Sequence, residues 1–191
     1  MLASCGNDHS VKVWSVHGGQ CLHDLREHTH VVESVAFAPE SAERTLATAV
    51  GSAGGSAQPG AAANKPRANG AGGGGGVTAW GEEGAVRRRF VASGSRDKTV
   101  KLWNASVGHC LMTFSVHENW VRCVLVHPSG AFVLSASDDR SVRAFDVKTG
   151  RCARKLEDAH GHFVTALAMH KTSPIVVSGG VDRELHVWEC R

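Results

Sequence analysis

The chain has 191 residues, 22 of them glycine, and its 21 basic and 18 acidic residues give a formal charge of +3. Because both signs are interspersed, no charged run indicates nucleic-acid or lipid binding, and Arg87 to Arg89 are interpreted as a solvated flank. No apolar run approaches the roughly 20 residues that span a bilayer, which predicts no membrane insertion. Six cysteines without a CxxC pair favour a reducing compartment inside the cell.

An internal repeat organises the chain. Residues 2–14, 91–103, 133–145 and 176–188 align without gaps, and each stretch has Ser, then Asp four residues later, then an aromatic residue six positions further on. The aromatic residues Trp103, Phe145 and Trp188 follow at intervals of 42 and 43 residues. This period, with short β-rich runs between Gly, Asp, Asn and Ser turns, is typical of a four-stranded propeller blade. The sequence therefore predicts an all-β propeller.

Fourteen strands are predicted, half of the 28 that seven blades require, or about 3.5 blades. In chain order, 1–37 ends one blade and begins the next, 38–89 is an insertion, and 90–191 supplies the remaining blades. The strands are placed as follows: innermost at 31–37, 120–126 and 163–169; second at 2–4, 90–93, 132–135 and 175–178; third ending at Trp14, Trp103, Phe145 and Trp188; fourth after Gly18-Gly19, Gly108 and Gly150. We expect the chain to be a fragment of a longer protein.

The insertion at 38–89 adds 47 residues between the first and second strands of one blade. Its Gly- and Ala-rich composition, including Gly72 to Gly76, predicts a disordered loop. Closing such a loop costs only about 0.6 kcal/mol per doubling of its length. The glycine run is not interpreted as a phosphate-binding loop, because no strand leads into it and no Lys-Ser/Thr pair follows.

Each blade repeats a set of polar residues around its aromatic position. The sets are His28, Ser93, Asp97 and Trp103; His117, Ser135, Asp139 and Phe145; and His160, Ser178, Asp182 and Trp188. A Ser-His-Asp set resembles a hydrolytic triad, but a catalytic constellation is needed once and these recur. We interpret them as structural hydrogen-bond networks, so no enzymatic activity is predicted. Phe145 has no N–H donor, and we expect this to cost about 1 kcal/mol.

No cofactor is predicted. The pairs His28/His30 and His160/His162 raise a metal hypothesis, but the first histidine of each belongs to the network and no third ligand is evident. No metal site is therefore predicted. Cys21, Cys110 and Cys152 recur on the outer strands and are interpreted as small buried apolar residues.

The turns between second and third strands and the connections between blades emerge on one face of a propeller. We expect this face to bind other proteins. It comprises Asn7, His9, His30, Arg96, Lys98, Glu118, Asn119, Trp120, Asp138, Arg140, His162, Phe163, Val181 and Arg183. Trp120 is the sharpest candidate, because an aromatic residue at a loop-to-strand junction is suited to anchor an interface. The alternative, that its ring packs down into the blade, stays open.

Five segments carry a resemblance to a known family: 25–33, 94–101, 110–114, 119–122 and 187–191. They resemble the lissencephaly-type WD-repeat regulators of cytoplasmic dynein, also the non-catalytic subunit of platelet-activating-factor acetylhydrolase. The resemblance implies a WD-repeat β-propeller that binds the dynein heavy chain and its cofactors, at microtubules in the cytoplasm, and that forms homodimers through an N-terminal module not in this chain. It matches Arg96 and Trp120 to the motor contact and Asn7, Asp8 and His9 to a second dynein surface. A WD-repeat adaptor for another complex is the alternative.

Overall fold

The computed structural model describes residues 1–53, 90–170 and 172–190, which form fourteen strands in four antiparallel sheets. We number these sheets as blades in chain order. The first blade contains β1 (Leu2–Cys5), β2 (Val11–Trp14) and β3 (Cys21–Leu25); the second β4 (Val32–Phe37), β5 (Phe90–Ser95), β6 (Val100–Asn104) and β7 (His109–Phe114); the third β8 (Val121–Val126), β9 (Phe132–Ser137), β10 (Val142–Asp146) and β11 (Arg151–Leu156); the fourth β12 (Val164–Met169), β13 (Ile175–Gly180) and β14 (Leu185–Glu189). The predicted series of partial propeller blades is confirmed.

Each blade is a simple up-and-down sheet, with strands paired in chain order. In the first three blades, the pairing of the last two strands shifts register next to the repeated aromatic residue. The shifts lie at Trp14, Trp103 and Phe145. A second shift falls near the start of the innermost strands β4, β8 and β12. Such bulges increase local twist and re-aim side chains.

The apolar core lies between blades. One cluster joins the first and second blades around Val11, Val13 and Trp103, and the largest joins the second and third blades around Phe114 and Phe145. The two phenyl rings stack with centroids 4.7 Å apart. A smaller cluster joins the third and fourth blades. Trp103, Phe145 and Trp188 thus each pack against the preceding blade.

Gly94 permits the second and third blades to approach closely. A Cβ atom at this position would lie 2.7 Å from Val121 Cγ1 and 2.8 Å from Val124 Cγ1. Across the same boundary, the backbone N–H of Val124 donates to Ser34 Oγ at 3.2 Å. A side chain at position 94 would therefore push β5 of the second blade away from β8 of the third.

The first part of the insertion is helical. A 3-10 turn at Glu40–Ala42 leads into helix α1 (Glu43–Ala53), which corrects the expectation of a loop throughout 38–89. Ala42, Leu46 and Ala49 are buried in the core of the second and third blades, and their spacing of three and four residues is that of one helix face. The remainder of the insertion, with Gly72 to Gly76 and Arg87 to Arg89, lies outside the described residues.

The helix docks on the turn between β8 and β9. Ser41 Oγ donates to the carbonyl oxygen of Pro128 at 2.7 Å. Gly130 has φ +71, and a Cβ atom there would lie 2.4 Å from the carbonyl oxygen of Ala42. Glycine therefore supplies both the left-handed backbone and the space for this contact.

Candidate partner-binding face

A complete polar network fixes the second blade. His28 Nδ1 lies 2.7 Å from Asp97 Oδ2, and His28 Nε2 lies 2.8 Å from Ser93 Oγ. The indole N–H of Trp103 donates to Ser93 Oγ at 2.8 Å. Because the carboxylate can only accept, His28 donates through Nδ1 and accepts the Ser93 hydroxyl at Nε2. The network binds the loop before β4 to the turn between β5 and β6.

The third blade has the same network without its last link. His117 Nδ1 lies 2.7 Å from Asp139 Oδ2, and His117 Nε2 lies 2.6 Å from Ser135 Oγ. Phe145 is fully buried and presents its ring edge-on to His117. At the other end, the buried Arg143 donates to Asp139 Oδ2 at 3.2 Å and also to the carbonyl oxygen of Val116.

The fourth blade repeats the complete set. His160 contacts Asp182 at 2.9 Å and Ser178 at 2.7 Å, and Trp188 donates to Ser178 Oγ at 2.8 Å. In the first blade the Trp14 indole donates to Ser4 Oγ at 2.8 Å.

Two of the aspartates are strongly acidic. Partial burial acts to raise the pKa of Asp97, but hydrogen bonds from His28 and Thr99 outweigh it and hold the pKa well below its ordinary value. Partial burial also acts to raise the pKa of Asp139, but hydrogen bonds from His117 and Ser141 outweigh it and lower the pKa. Both side chains are therefore carboxylates throughout the neutral range.

The network serines are closed to substrate. Ser93, Ser135 and Ser178 each have a relative exposure of 0%. A nucleophilic serine must reach the carbon atom that it attacks, so these hydroxyl groups are placed to hold the blade together.

The two histidines of each His-x-His pair bond to different groups. The first, His28 or His160, belongs to a network. The second accepts a backbone N–H at Nδ1: His30 from Val31 at 2.7 Å and His162 from Phe163 at 2.8 Å. Within 1–53, 90–170 and 172–190, no group of three or more His, Cys, Asp or Glu side chains is arranged to hold a metal ion. In the same part of the chain, no helix has the length and apolar character needed to cross a bilayer.

The networks fix a face of loops at one end of the blades. Backbone bonds cross between neighbouring loops in a repeated pattern: Arg96 N–H to Val31, Asp138 N–H to Trp120 and Val181 N–H to Phe163, each at 2.9 Å. At the tips of the turns between second and third strands, His9, Lys98, Arg140 and Arg183 are exposed and have φ between 63 and 70. We call this end of the blades the loop face.

The ring of Trp120 contacts two guanidinium groups on the loop face. Arg96 Cζ is 4.4 Å from the centroid of the ring, and Arg122 Cζ is 5.0 Å from it. The side chain is half-buried, so it combines partial packing with an open edge. Both distances are within the range of about 6 Å at which a cation is attracted to the face of an aromatic ring.

Two carboxylates fix the arginines around Trp120. Glu33 pairs with Arg96 and also lies 3.6 Å from Arg122. Arg122 donates through Nε and Nη2 to both oxygens of Asp138, each at 2.8 Å. The bond to Asp138 is the largest cause of the raised pKa of Arg122. The side chain of Asp138, which the sequence placed on the open face, is buried.

The loop of the first blade adjoins the same cluster. The ring of His9 is 5.8 Å from that of His30, which is 6.4 Å from Trp120. Asn7 is exposed, and Asp8 turns away to bond Ser10 and to pair with Lys12 at 3.6 Å. Of the five residues proposed from the resemblance, Arg96, Trp120 and His9 thus lie in one cluster.

Sequence reasoning did not single out Glu33 and Arg122. Arg122 lies two residues after Trp120 at the start of β8, so an extended backbone directs both side chains to one side. That spacing was visible in the sequence. The link from Glu33 to Arg96 joins residues 63 positions apart and required the fold.

The repeated cysteines differ from the expectation of burial. Cys21 is exposed, while Cys110 and Cys152 are half-buried. Each thiol donates to the carbonyl oxygen two residues later, at 3.4, 3.5 and 3.2 Å respectively. Burial raises the pKa of Cys110 to about 11, which keeps this thiol protonated and unreactive.

The four-stranded blades and their His-Ser-Asp-Trp networks define a WD-repeat segment. The family described as "WD domain, G-beta repeat" matches residues 81–104, 108–146 and 150–189, more than half of the chain. The chain belongs to the WD-repeat family.

Among curated proteins, the chain is similar to nuclear distribution proteins of fungi. It is 36% identical to nuclear distribution protein PAC1-2 of Uncinocarpus reesii over 169 residues, 87% of this chain and 31% of the relative. It is 35% identical to nuclear distribution protein PAC1 of Yarrowia lipolytica over 195 residues, 98% of this chain and 36% of the relative. Nuclear distribution protein nudF 1 of Talaromyces marneffei is 54% identical over 79 residues, 41% of this chain and 17% of the relative. The chain spans about a third of the length of the first two relatives.

Proposed function

We propose that this chain supplies part of the propeller of a non-catalytic, lissencephaly-type regulator that binds the cytoplasmic dynein motor and controls its engagement with microtubules. Its partners would be the dynein heavy chain and dynein cofactors, and its place the cytoplasm, at microtubules. The support comes from the similarity to nuclear distribution proteins and from membership in a repeat family whose blades serve as binding scaffolds.

The cluster around Trp120 carries the proposal. The guanidinium groups of Arg96 and Arg122 contact its ring on the loop face, and half-buried aromatic and arginine side chains are the residues that dominate binding energy at interfaces. His9 and His30 extend the cluster toward the first blade. We propose that Arg96 and Trp120 form the main contact, and that the loop of Asn7, Asp8 and His9 forms a second contact.

The test measures binding of this protein to a purified dynein motor domain. Arg96→Ala combined with Trp120→Ala should weaken binding to a purified dynein motor domain by at least a hundredfold, because two anchor residues at one centre are removed. Arg44→Ala is the control, since Arg44 is exposed on helix α1 at the opposite end of the blades. Equal affinity of the double variant and its parent would contradict the proposal.

The alternative is an adaptor that uses the same loop face for another protein complex. Both hypotheses place binding at Trp120, so only the identity of the bound partner distinguishes the dynein regulator from the adaptor. Capture from a native extract on the parent protein, with the double variant as the blank, should recover dynein heavy chain. Selective loss of a different complex would favour the adaptor. Labelling of Ser93, Ser135 or Ser178 by a serine-reactive probe would contradict the absence of catalysis.

A further inference from the structure

The outer strand of the third blade departs from the repeat in its charge. Strand β11 contains Arg151, Arg154 and Lys155, whereas the outer strands β3 and β7 contain no Lys or Arg. Positions that serve the blade itself recur from blade to blade, as the networks do. A cationic strand in one blade therefore requires an explanation other than folding.

The bulge in the third blade brings the two arginines to one side. Residues three apart point to opposite faces of a regular strand. Here the register shift pairs Arg151 with Asp146 and Arg154 with Ala144, two positions apart on β10. Since cross-strand partners share a face, Arg151 and Arg154 lie on the same face, opposite that of Phe145. The equivalent pair in the second blade is His109 and Met112.

These cations are largely uncompensated. Lys148, in the turn before β11, is exposed together with Arg151 and Arg154, and none of the three forms an ion pair with a residue in the described part of the chain. Asp146 shares their face, but its carboxylate accepts the N–H of Thr149. Lys155, by contrast, pairs with Glu157 at 2.6 Å. We call Lys148, Arg151 and Arg154 the basic rim.

The rim borders an open strand edge. Strand β11 is at the end of its sheet, so its outer backbone N–H and C=O groups have no neighbouring strand in the blade. An extended peptide can pair with such an edge, and guanidinium groups bind carboxylates in bidentate fashion. From these features we propose that the basic rim is a docking site for an extended polypeptide segment rich in Asp and Glu.

Other anionic partners fit less well. Affinity for nucleic acid grows with the number of phosphates neutralised, and the basic rim supplies only three cations. A lipid surface would favour an exposed apolar side chain beside the charges, and the large exposed apolar residues of the described chain lie outside 117–180.

The test uses a fluorescent peptide of ten glutamates and anisotropy at low salt. Arg151→Glu combined with Arg154→Glu should weaken binding at least tenfold, and the neutral pair Arg151→Gln with Arg154→Gln should weaken it by a smaller factor. Arg26→Glu with Arg44→Glu is the matched control: both residues are exposed, neither belongs to the loop face or the basic rim, and the variant makes the same change in net charge, so it should change affinity less than twofold. Urea unfolding confirms that all variants are folded.

The charge reversal also separates docking from simple protection of the edge. A glutamate edge discourages strand pairing between copies as well as an arginine edge does, so protection alone would leave peptide binding unchanged. Equal weakening by the rim and control variants would overturn the proposal, since it would show attraction by net charge only. Tighter binding of a ten-nucleotide RNA or of phosphatidylserine vesicles at the rim would also overturn it.

Discussion

The second and third blades share one architecture but hold their histidines differently. In the second blade, the chain of bonds runs from Asp97 through His28 and Ser93 to the indole of Trp103. In the third blade it stops at Ser135, and Arg143 strengthens the aspartate end instead. The invariant part is the fixed histidine, and the two ends of the chain of bonds can be reinforced separately.

The largest difference in stability between the two blades is expected when the aspartate of each network is replaced by alanine. Asp139→Ala should lower the free energy of unfolding by about 3–5 kcal/mol, because it leaves Arg143, whose side chain is 6% exposed, without a carboxylate. Asp97→Ala should cost about 1.5–3 kcal/mol, since it removes hydrogen bonds to a charged group but strands no buried cation. Urea unfolding of the chain at pH 7 measures both. Equal losses would contradict the role given to Arg143.

A smaller effect is expected from acid, because a protonated carboxyl can still accept hydrogen bonds. The pKa values of Asp97 and Asp139 are lowered in the folded chain, so their contribution is complete above the ordinary aspartate pKa of about 3.9 and is lost as pH falls toward the folded values. The urea concentration at the midpoint of unfolding, measured from pH 7 to pH 2, should decrease as the pH falls below about 4. Asp139→Asn should flatten this slope, and an unchanged slope in that variant would contradict the contribution given to Asp139.

The smallest effect concerns the aromatic position. Trp103→Phe removes the indole donor to Ser93 and should cost about 1 kcal/mol. The reverse change, Phe145→Trp, could supply a donor to Ser135 but enlarges a ring that is fully buried and stacked on Phe114. Overpacking costs about 1–3 kcal/mol, so we expect no net gain. A gain of 1 kcal/mol or more, measured by thermal and urea unfolding, would show that the third blade has unused space for an indole.

Much of the fold could be read from the sequence because a repeat presents the same information several times. The alignment of Ser93, Ser135 and Ser178 predicted which strands and turns correspond, and those strands are where the structure has them. Helix α1 was missed, although Ala42, Leu46 and Ala49 have helical spacing, because glycine-rich composition dominated the reading of 38–89. The domain boundaries and the partner-binding residues stay predictions.

The candidate site was accessible from sequence only in part. Trp120 and Arg96 could be named as loop-face residues, but the choice between an anchor and a packed ring depended on what surrounds Trp120. That surrounding includes Glu33 and Arg122, which reach it from different strands across a blade boundary. The contacts of Glu33 and Arg122 with this cluster leave no periodic trace in the sequence, because they join residues at irregular separations.

The sequence by itself determined the blades: short apolar runs, turn residues at a fixed period and a recurring polar set require each unit to form the same sheet. Tertiary structure alone decided where the single features meet. It placed the guanidinium groups of Arg96 and Arg122 against the ring of Trp120, docked helix α1 on the turn of Gly130, and turned Arg151 and Arg154 to one face through a bulge. The physical reason is that local sequence sets backbone conformation, whereas the position of a side chain relative to a neighbouring blade depends on packing between sheets distant in sequence.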